Sequence, residues 1–478
     1  MWLAGVGVYF LAVLHRASLG VAGPDAVARL GISATELGAF IMVQLGLYAL
    51  MQVPAGLALD RWGPRRVLLV ATLVMGGAQL LFAVATNYPV ALAARALLGI
   101  GDAAVFIAVL RLAAVWFPRG RYAVLTMLTG LAGMAGNLAA TVPLVVMLGG
   151  LGWTTTFAIT GATSVVYVLL LLRPAIATPY RGAGRAPDQE APPAQDARSG
   201  QDGRSQQDTR SGQEGGSRND GPEQPPASGP PPAKPGVLSA VGAAWGRRET
   251  RLGFWTHQAT MTPGVVISLV WGYPYLTEAL GYSNEAAATQ LSLYVVGTLV
   301  ASLFIGPVAG RRPTWRTPMA VFVSVAGVLA IAVLVLWPGG HPPGPVVTVA
   351  FAVLALGGPA SQIGFHLARD YNPVAGISTA TGLVNAGGFS GAMVVAIVVG
   401  VVLDMASGGS TTVAADYRWA IGSIGVGVGL STLALLVSLL GVRAGVLARM
   451  ARGEKVIVPA TERWWDRAFR RISGRRSG

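Results

Sequence analysis

The chain has 478 residues, 53% of them hydrophobic and only 12% charged, with a mean hydropathy of +0.56. Soluble domains carry about 25% charged residues, so lipid is the main solvent for this chain. It contains no cysteine, which excludes disulfides, thiol catalysis and cysteine metal sites, while its net charge of +14 raises the question of nucleic acid.

A membrane helix needs about 20 apolar residues and satisfies its own backbone in lipid. Twelve such segments follow one another: 2–22, 37–59, 67–86, 89–115, 122–147, 155–172, 253–276, 288–309, 317–337, 345–366, 376–403 and 418–442. The first continues to about Val21 with no basic leading region and no cleavage site. The chain enters it at once, which leaves an upstream start open. Residues 173–252 separate six segments from six. Their middle repeats a hexad, Q-D-A-R-S-G at 195, Q-D-G-R-S-Q at 201 and Q-D-T-R-S-G at 207, followed by Pro-rich sequence to Pro235. With almost no large apolar residues this stretch cannot bury a core and reads as a disordered tether. The tail E-R-W-W-D-R-A-F-R-R-I (462–472) places Trp465, Phe469 and Ile472 opposite Arg463, Arg467 and Arg470. That pattern suits a basic amphipathic helix lying on an anionic inner leaflet.

With the N-terminus in the cytoplasm, the inner segments hold all but five of the 35 lysines and arginines. Arg16, Arg95 and Arg111 lie inside spans, and only Arg29 and Arg418 fall outside. This is the positive-inside distribution. The basic balance is topological and needs no nucleic-acid partner.

Between the second and third segments, Gly56 to Arg66 reads G-L-A-L-D-R-W-G-P-R-R. It resembles the signature loop of the major facilitator superfamily of transporters, G-x-x-x-D-R-x-G-x-R-R, at Gly56, Asp60, Arg61, Gly63, Arg65 and Arg66. A worn copy, G-P-V-A-G-R-R-P-T-W-R, follows at Gly306 to Arg316; Gly306, Arg311 and Arg316 align with the first, and Gly310 replaces Asp60. The resemblance implies an all-α membrane protein of twelve transmembrane helices in two pseudo-symmetric six-helix bundles, with both termini cytoplasmic. Such proteins hold their solute near the midplane between halves and rock to alternate access. The expected organisation is a first bundle at 1–173, a linker at 174–250, a second bundle at 251–443 and a basic tail at 444–478. The signature loop, with Arg311 and Arg316 of its copy, is implied to latch the halves on the cytoplasmic side.

Ionisable side chains inside a membrane are functional candidates by default. Arg16 and Arg95 sit at similar depth in the outer halves of the first and fourth segments, and two guanidinium groups facing one cavity would grip a carboxylate or phosphate. Asp102 lies near the centre of the fourth segment, seven residues after Arg95. Two turns separate them, so both point the same way, about 10 Å apart along the axis. Desolvation favours a neutral acid there and a neighbouring arginine favours the carboxylate, a balance suited to proton coupling; a static ion pair is the alternative. H-R-A-S-L-G-V-A-G-P (15–24) and the spacing through Q-V-P-A-G-L-A-L-D-R-W-G (52–63) resemble the organic-anion and sugar-phosphate branches of the superfamily. That resemblance assigns Arg16 and Arg95 to anion binding and Asp102 to coupling. His15 stands where sugar-acid symporters often carry Asp, and its own titration is a second coupling candidate. Gly130, Gly133 and Gly136 recur every three residues on the fifth segment, as close helix packing requires. Tyr273, Tyr275, Gln362 and Asn385 are polar cavity candidates in the second half. Arg111 and His366, near inner helix ends, read as snorkelling or interfacial groups.

No nucleophile elbow, phosphate loop or metal-ligand cluster occurs in the sequence, so an enzyme is not expected. The reading is a monomeric secondary transporter of the plasma (inner) membrane, taking up a small organic anion with protons and using no cofactor beyond the proton gradient. Efflux of a drug or metabolite is the first alternative, and a non-transporting receptor the second.

Overall fold

The computed structural model describes residues 1–32, 34–140, 142–173, 236–408, 414–454, 456 and 466–467. The hexad repeat and most of the expected tail helix lie outside the described residues. Among those described, the regular elements are helices: α1 (Trp2–Leu30), α2 (Ala34–Val84), α3 (Tyr88–Trp116), α4 (Tyr122–Ala139), α5 (Val142–Leu172), α6 (Val237–Gly246), α7 (Arg248–Val266), α8 (Asn284–Arg311), α9 (Arg316–Leu336), α10 (Gly344–Ala355), α11 (Gly357–Ser361), α12 (Ile363–Tyr371), α13 (Ile377–Ser407) and α14 (Ala414–Ala451). Ten helical stretches among the described residues are long and apolar enough to cross a membrane. The chain is a multi-pass membrane protein.

Helix α2 has 51 residues and would be about 75 Å long if straight, against a hydrocarbon core of about 30 Å. It is not straight. Gly63 adopts φ 78°, which side chains rarely allow, immediately before Pro64. Phe40 and Phe82, one on each arm, meet with ring centroids 6.3 Å apart. The two arms are therefore a hairpin, and the expected segments 37–59 and 67–86 fall one on each.

Several boundaries differ from the sequence reading, each for a local reason. Helix α4 stops at Ala139 rather than 147, because Pro143 disfavours helical geometry just before it and fits the first turn of α5. The seventh expected segment, 253–276, lies on α7 and the π-helical turns Ile267–Trp271 and Tyr275–Ala279 that extend it. It is not among the ten apolar stretches, because Thr256, His257, Thr260 and Thr262 lower its hydropathy; all four are buried against protein. The tenth segment is stepped into α10, α11 and α12 around Gly357-Gly358-Pro359. Residues 237–246 and 248–250, expected in the disordered linker, are helical. Their V-L-S-A-V-G-A-A-W run is apolar, Ala244 is buried, and Trp245 packs edge-on against Phe254 at 5.1 Å.

Each half packs its own apolar core. Phe82, Trp153 and Phe157 centre one cluster in the first half, and Phe351, Ile421 and Val428 another in the second. A further cluster joins the halves: Phe106 and Leu110 of α3 pack with Phe365 and Ala368 of α12 and with Ala380 and Val384 of α13. Close packing of α1 on α4 depends on small residues. A Cβ at Gly133 would lie 2.8 Å from the Tyr9 ring, and one at Gly136 2.6 Å from the Phe10 carbonyl oxygen.

Candidate functional site

A cavity of about 700 Å³ lies between the halves, walled by α1, α2 and α4 on one side and by α7, α8, α12 and α13 on the other. Among the described residues on its wall, Arg16 is the cation paired with an aspartate. Its Nε donates to Asp102 Oδ2 at 2.8 Å and its Nη2 to Oδ1 at 2.9 Å, a bidentate bridge from α1 to α3. Asp102 is 1% exposed and Arg16 22% exposed, so the arginine shields the acid from the cavity it lines. The guanidinium also lies 4.8 Å from the centroid of the Tyr48 ring. A buried carboxylate needs such a partner, since an unpaired one costs several kcal/mol.

The structure separates residues that the sequence placed together. Arg95 does not line the cavity. It is fully buried, donates from Nη1 to the His15 carbonyl oxygen at 3.2 Å, and stacks 4.3 Å from the Phe82 ring centroid. Equal depth and a seven-residue spacing from Asp102 were not sufficient, because a long side chain leans toward the N-terminal turn of its own helix. His15 is also fully buried and away from the cavity, with Nε2 2.7 Å from Ser164 Oγ on α5. Tyr273 is 42% exposed and not on the cavity wall, and Tyr275 is buried in the second-half core. Gln362 lines the cavity, and its Oε1 has no protein partner. His366 lines the cavity too, edge-on to Tyr122 at 5.2 Å, rather than sitting at an interface with lipid headgroups.

Asn385 lies off the cavity wall, in a seam where the two halves meet. Its Nδ2 donates to Gln52 Oε1 at 2.6 Å and to Tyr48 Oη at 3.2 Å, crossing between halves. The Tyr48 ring meets Phe389 at 4.6 Å. A Cβ at Gly382 would collide with the Gln52 carbonyl oxygen, and one at Gly56 would lie 2.5 Å from that of Ser378. The seam ends at Asp60. Its carboxylate accepts from the Ser378 N–H at 3.2 Å, the Thr379 N–H at 2.8 Å and the Thr379 hydroxyl at 2.7 Å. An acid from the first half thus caps the N-terminus of α13 in the second, where a helix favours negative charge. Arg111 lies 3.2 Å from Asp60 and donates to the Val374 carbonyl. It is held in an ion pair rather than snorkelling. Arg65 anchors the loop by donating to the carbonyls of Leu171 and Leu172 at the end of α5. Arg61, Arg66 and Arg311 are exposed.

The worn copy makes the counterpart contact with other chemistry. A Cβ at Gly310 would lie 2.7 Å from the Ala123 side chain, and one at Gly306 3.3 Å from Met127, so α8 packs on the start of α4 as α2 packs on the start of α13. No acid caps α4. Arg316 instead pairs with Asp370 at 2.5 Å and donates to the Ala309 carbonyl. Arg369 reaches across the halves to the carbonyls of Ala114 and Phe117. Acid on the loop with arginine on the helix, as in Asp60 and Arg111, becomes arginine on the loop with acid on the helix.

Tyr48, Gln52, Arg369 and Asp370 escaped the sequence reading. Their signal was present for the first two: Gln44, Tyr48, Gln52, Gly56 and Asp60 recur every fourth residue, a polar and small stripe along one face of an apolar helix.

A helical bundle in two halves around a central cavity, latched at one end by charged loops, defines a membrane transporter. Residues 6–392 match the sequence profile of the Major Facilitator Superfamily, and the chain belongs to that family. It is similar to the probable sulfoacetate transporter SauU of Cupriavidus necator, 30% identical over 164 residues that cover 34% of this chain and 38% of SauU. A D-galactonate transporter of Escherichia coli is 30% identical over 159 residues, 33% of this chain and 36% of that protein. The chain thus spans well under half of these relatives' own lengths. Among solved structures, FucP in its outward conformation superposes with a TM-score of 0.64 at 13% identity, covering 91% of this chain and 98% of FucP. The proton:xylose symporter XylE gives 0.62 at 14% identity, covering 90% and 94%. At these identities the likeness shows the fold.

Proposed function

We propose that the chain is a proton-coupled importer of a small organic anion, working by alternating access in the plasma membrane with twelve crossings and both termini cytoplasmic. The observation that carries this reading is the Arg16–Asp102 pair at the wall of a cavity shared by both halves. An anion entering the cavity competes with Asp102 for the guanidinium. A desolvated carboxyl that loses its cation favours the neutral acid, so Asp102 takes up a proton as the anion binds. The neutral assembly then crosses, and release of the anion returns the guanidinium to Asp102 and expels the proton. Energy comes from the proton gradient, with no cofactor, and one chain suffices.

The seam from Tyr48 and Asn385 down to Asp60 is the cytoplasmic gate in its closed state, and Arg369 with Arg316 and Asp370 forms its second-half counterpart. Relatives named for sulfoacetate, galactonate and tartrate transport support an organic acid as the solute. The test is uptake by proteoliposomes under an imposed pH gradient. Accumulation of organic acids from a panel, collapsed by a protonophore, supports the reading; gradient-driven export of cationic dyes without uptake of any acid contradicts it.

A further inference from the structure

The cavity wall narrows the class of anion, an inference that rests on the anion-uptake reading above. Five methionines face the space: Met42, Met127, Met134, Met261 and Met393. Thioethers offer polarizable, adaptable apolar surface. Three of the hydroxyls on the wall already donate to their own helices. Thr126 donates to the Tyr122 carbonyl at 2.8 Å, Thr298 to that of Tyr294 at 3.0 Å and Ser302 to that of Thr298 at 2.8 Å. The polar groups that remain for a ligand are few for a cavity of this size: the Tyr9 hydroxyl, the amides of Gln44, Asn137 and Gln362, the His366 ring, and the Nη1 amino group of Arg16, which the bridge to Asp102 leaves unused.

We infer that this site takes an organic monoanion with an extended apolar body, an aliphatic or aryl carboxylate or sulfonate, rather than a polyhydroxylated acid. Arg16 Nη1 holds the single charged head, and the methionine wall receives the hydrocarbon. The several hydroxyls of a sugar acid would lose water against a wall that is mostly methionine and aliphatic carbon, and its few polar groups cannot replace all of those hydrogen bonds, which costs affinity.

Competition among matched ligands tests this on the full-length protein in lipid nanodiscs, with butanoate, hexanoate, gluconate and hexanamide as probes. Hexanoate and gluconate share six carbons and one carboxylate and differ only in hydroxyls. Affinity should rise about fourfold per methylene from butanoate to hexanoate, and gluconate should bind at least about tenfold more weakly than hexanoate. Gluconate binding as well as hexanoate or better overturns the inference while leaving anion transport standing. Hexanamide binding as well as hexanoate shows that the carboxylate contributes nothing and overturns the anion reading itself.

Discussion

Arg16 and Asp102 face each other across α1 and α3 through two parallel hydrogen bonds of 2.8 and 2.9 Å, with the acid buried and the arginine open to the cavity. The two residues are unequal in consequence. Arg16→Gln leaves a carboxylate buried without its cation and should cost about 3–5 kcal/mol. Adding Asp102→Asn removes that orphan charge, so the double variant should be more stable than Arg16→Gln alone. Thermal midpoints of the four members of the cycle measure this coupling; additive losses would mean that the pair contributes no interaction.

Arg95 should behave differently from Arg16, because it touches no part of the cavity. Arg95→Gln is expected to leave the apparent KM for the transported anion within about twofold, whereas Arg16→Gln raises it by about tenfold or more. Initial uptake rates over a range of anion concentrations separate the two outcomes. A large KM effect at Arg95 would return it to the binding site.

Asp60 caps a helix of the opposite half and pairs with Arg111. Asp60→Ala removes a cap worth about 1 kcal/mol that crosses from the first half to the second and so is made only where the halves meet. The variant should therefore shift toward cytoplasmic opening. The chain has no cysteine, so Met134→Cys in the cavity reports access without background. Membrane-impermeant maleimide added from the cytoplasmic face should label it faster in the Asp60→Ala background than in the parent. Equal labelling rates would remove Asp60 from the gate.

Close approach of α2 and α13 requires glycine at two facing positions. Gly382→Val places methyl groups against the Gln52 backbone and Gly56→Val against Ser378, so neither variant closes the cytoplasmic side. Both should insert normally yet lose accumulative transport, and the same maleimide assay should find their cavity open to the cytoplasm. Retained accumulation would show that the seam closes by other contacts.

The membrane character, the hairpin loop at Gly63 and the pairing of halves could be read from sequence because charge and glycine stand out against apolar runs. Arg16 and Asp102 were visible for the same reason. What could not be read was the rotation of each helix about its axis. It sends Arg95 to Phe82 and His15 to Ser164 rather than to the cavity, and it keeps Tyr273 off the cavity wall. Tyr48, Asn385 and Arg369 acquire their partners only when the halves meet, through pairs more than 250 residues apart such as Arg369 with Ala114, which no local pattern encodes.

The central claim is that the Arg16–Asp102 pair couples proton and anion movement. It is tested most directly by comparing parent and Asp102→Asn proteoliposomes under an inward pH gradient, reading both net accumulation of a transported anion and its exchange against internal anion. The account predicts that the variant loses gradient-driven accumulation and keeps exchange. Undiminished accumulation by Asp102→Asn would contradict it.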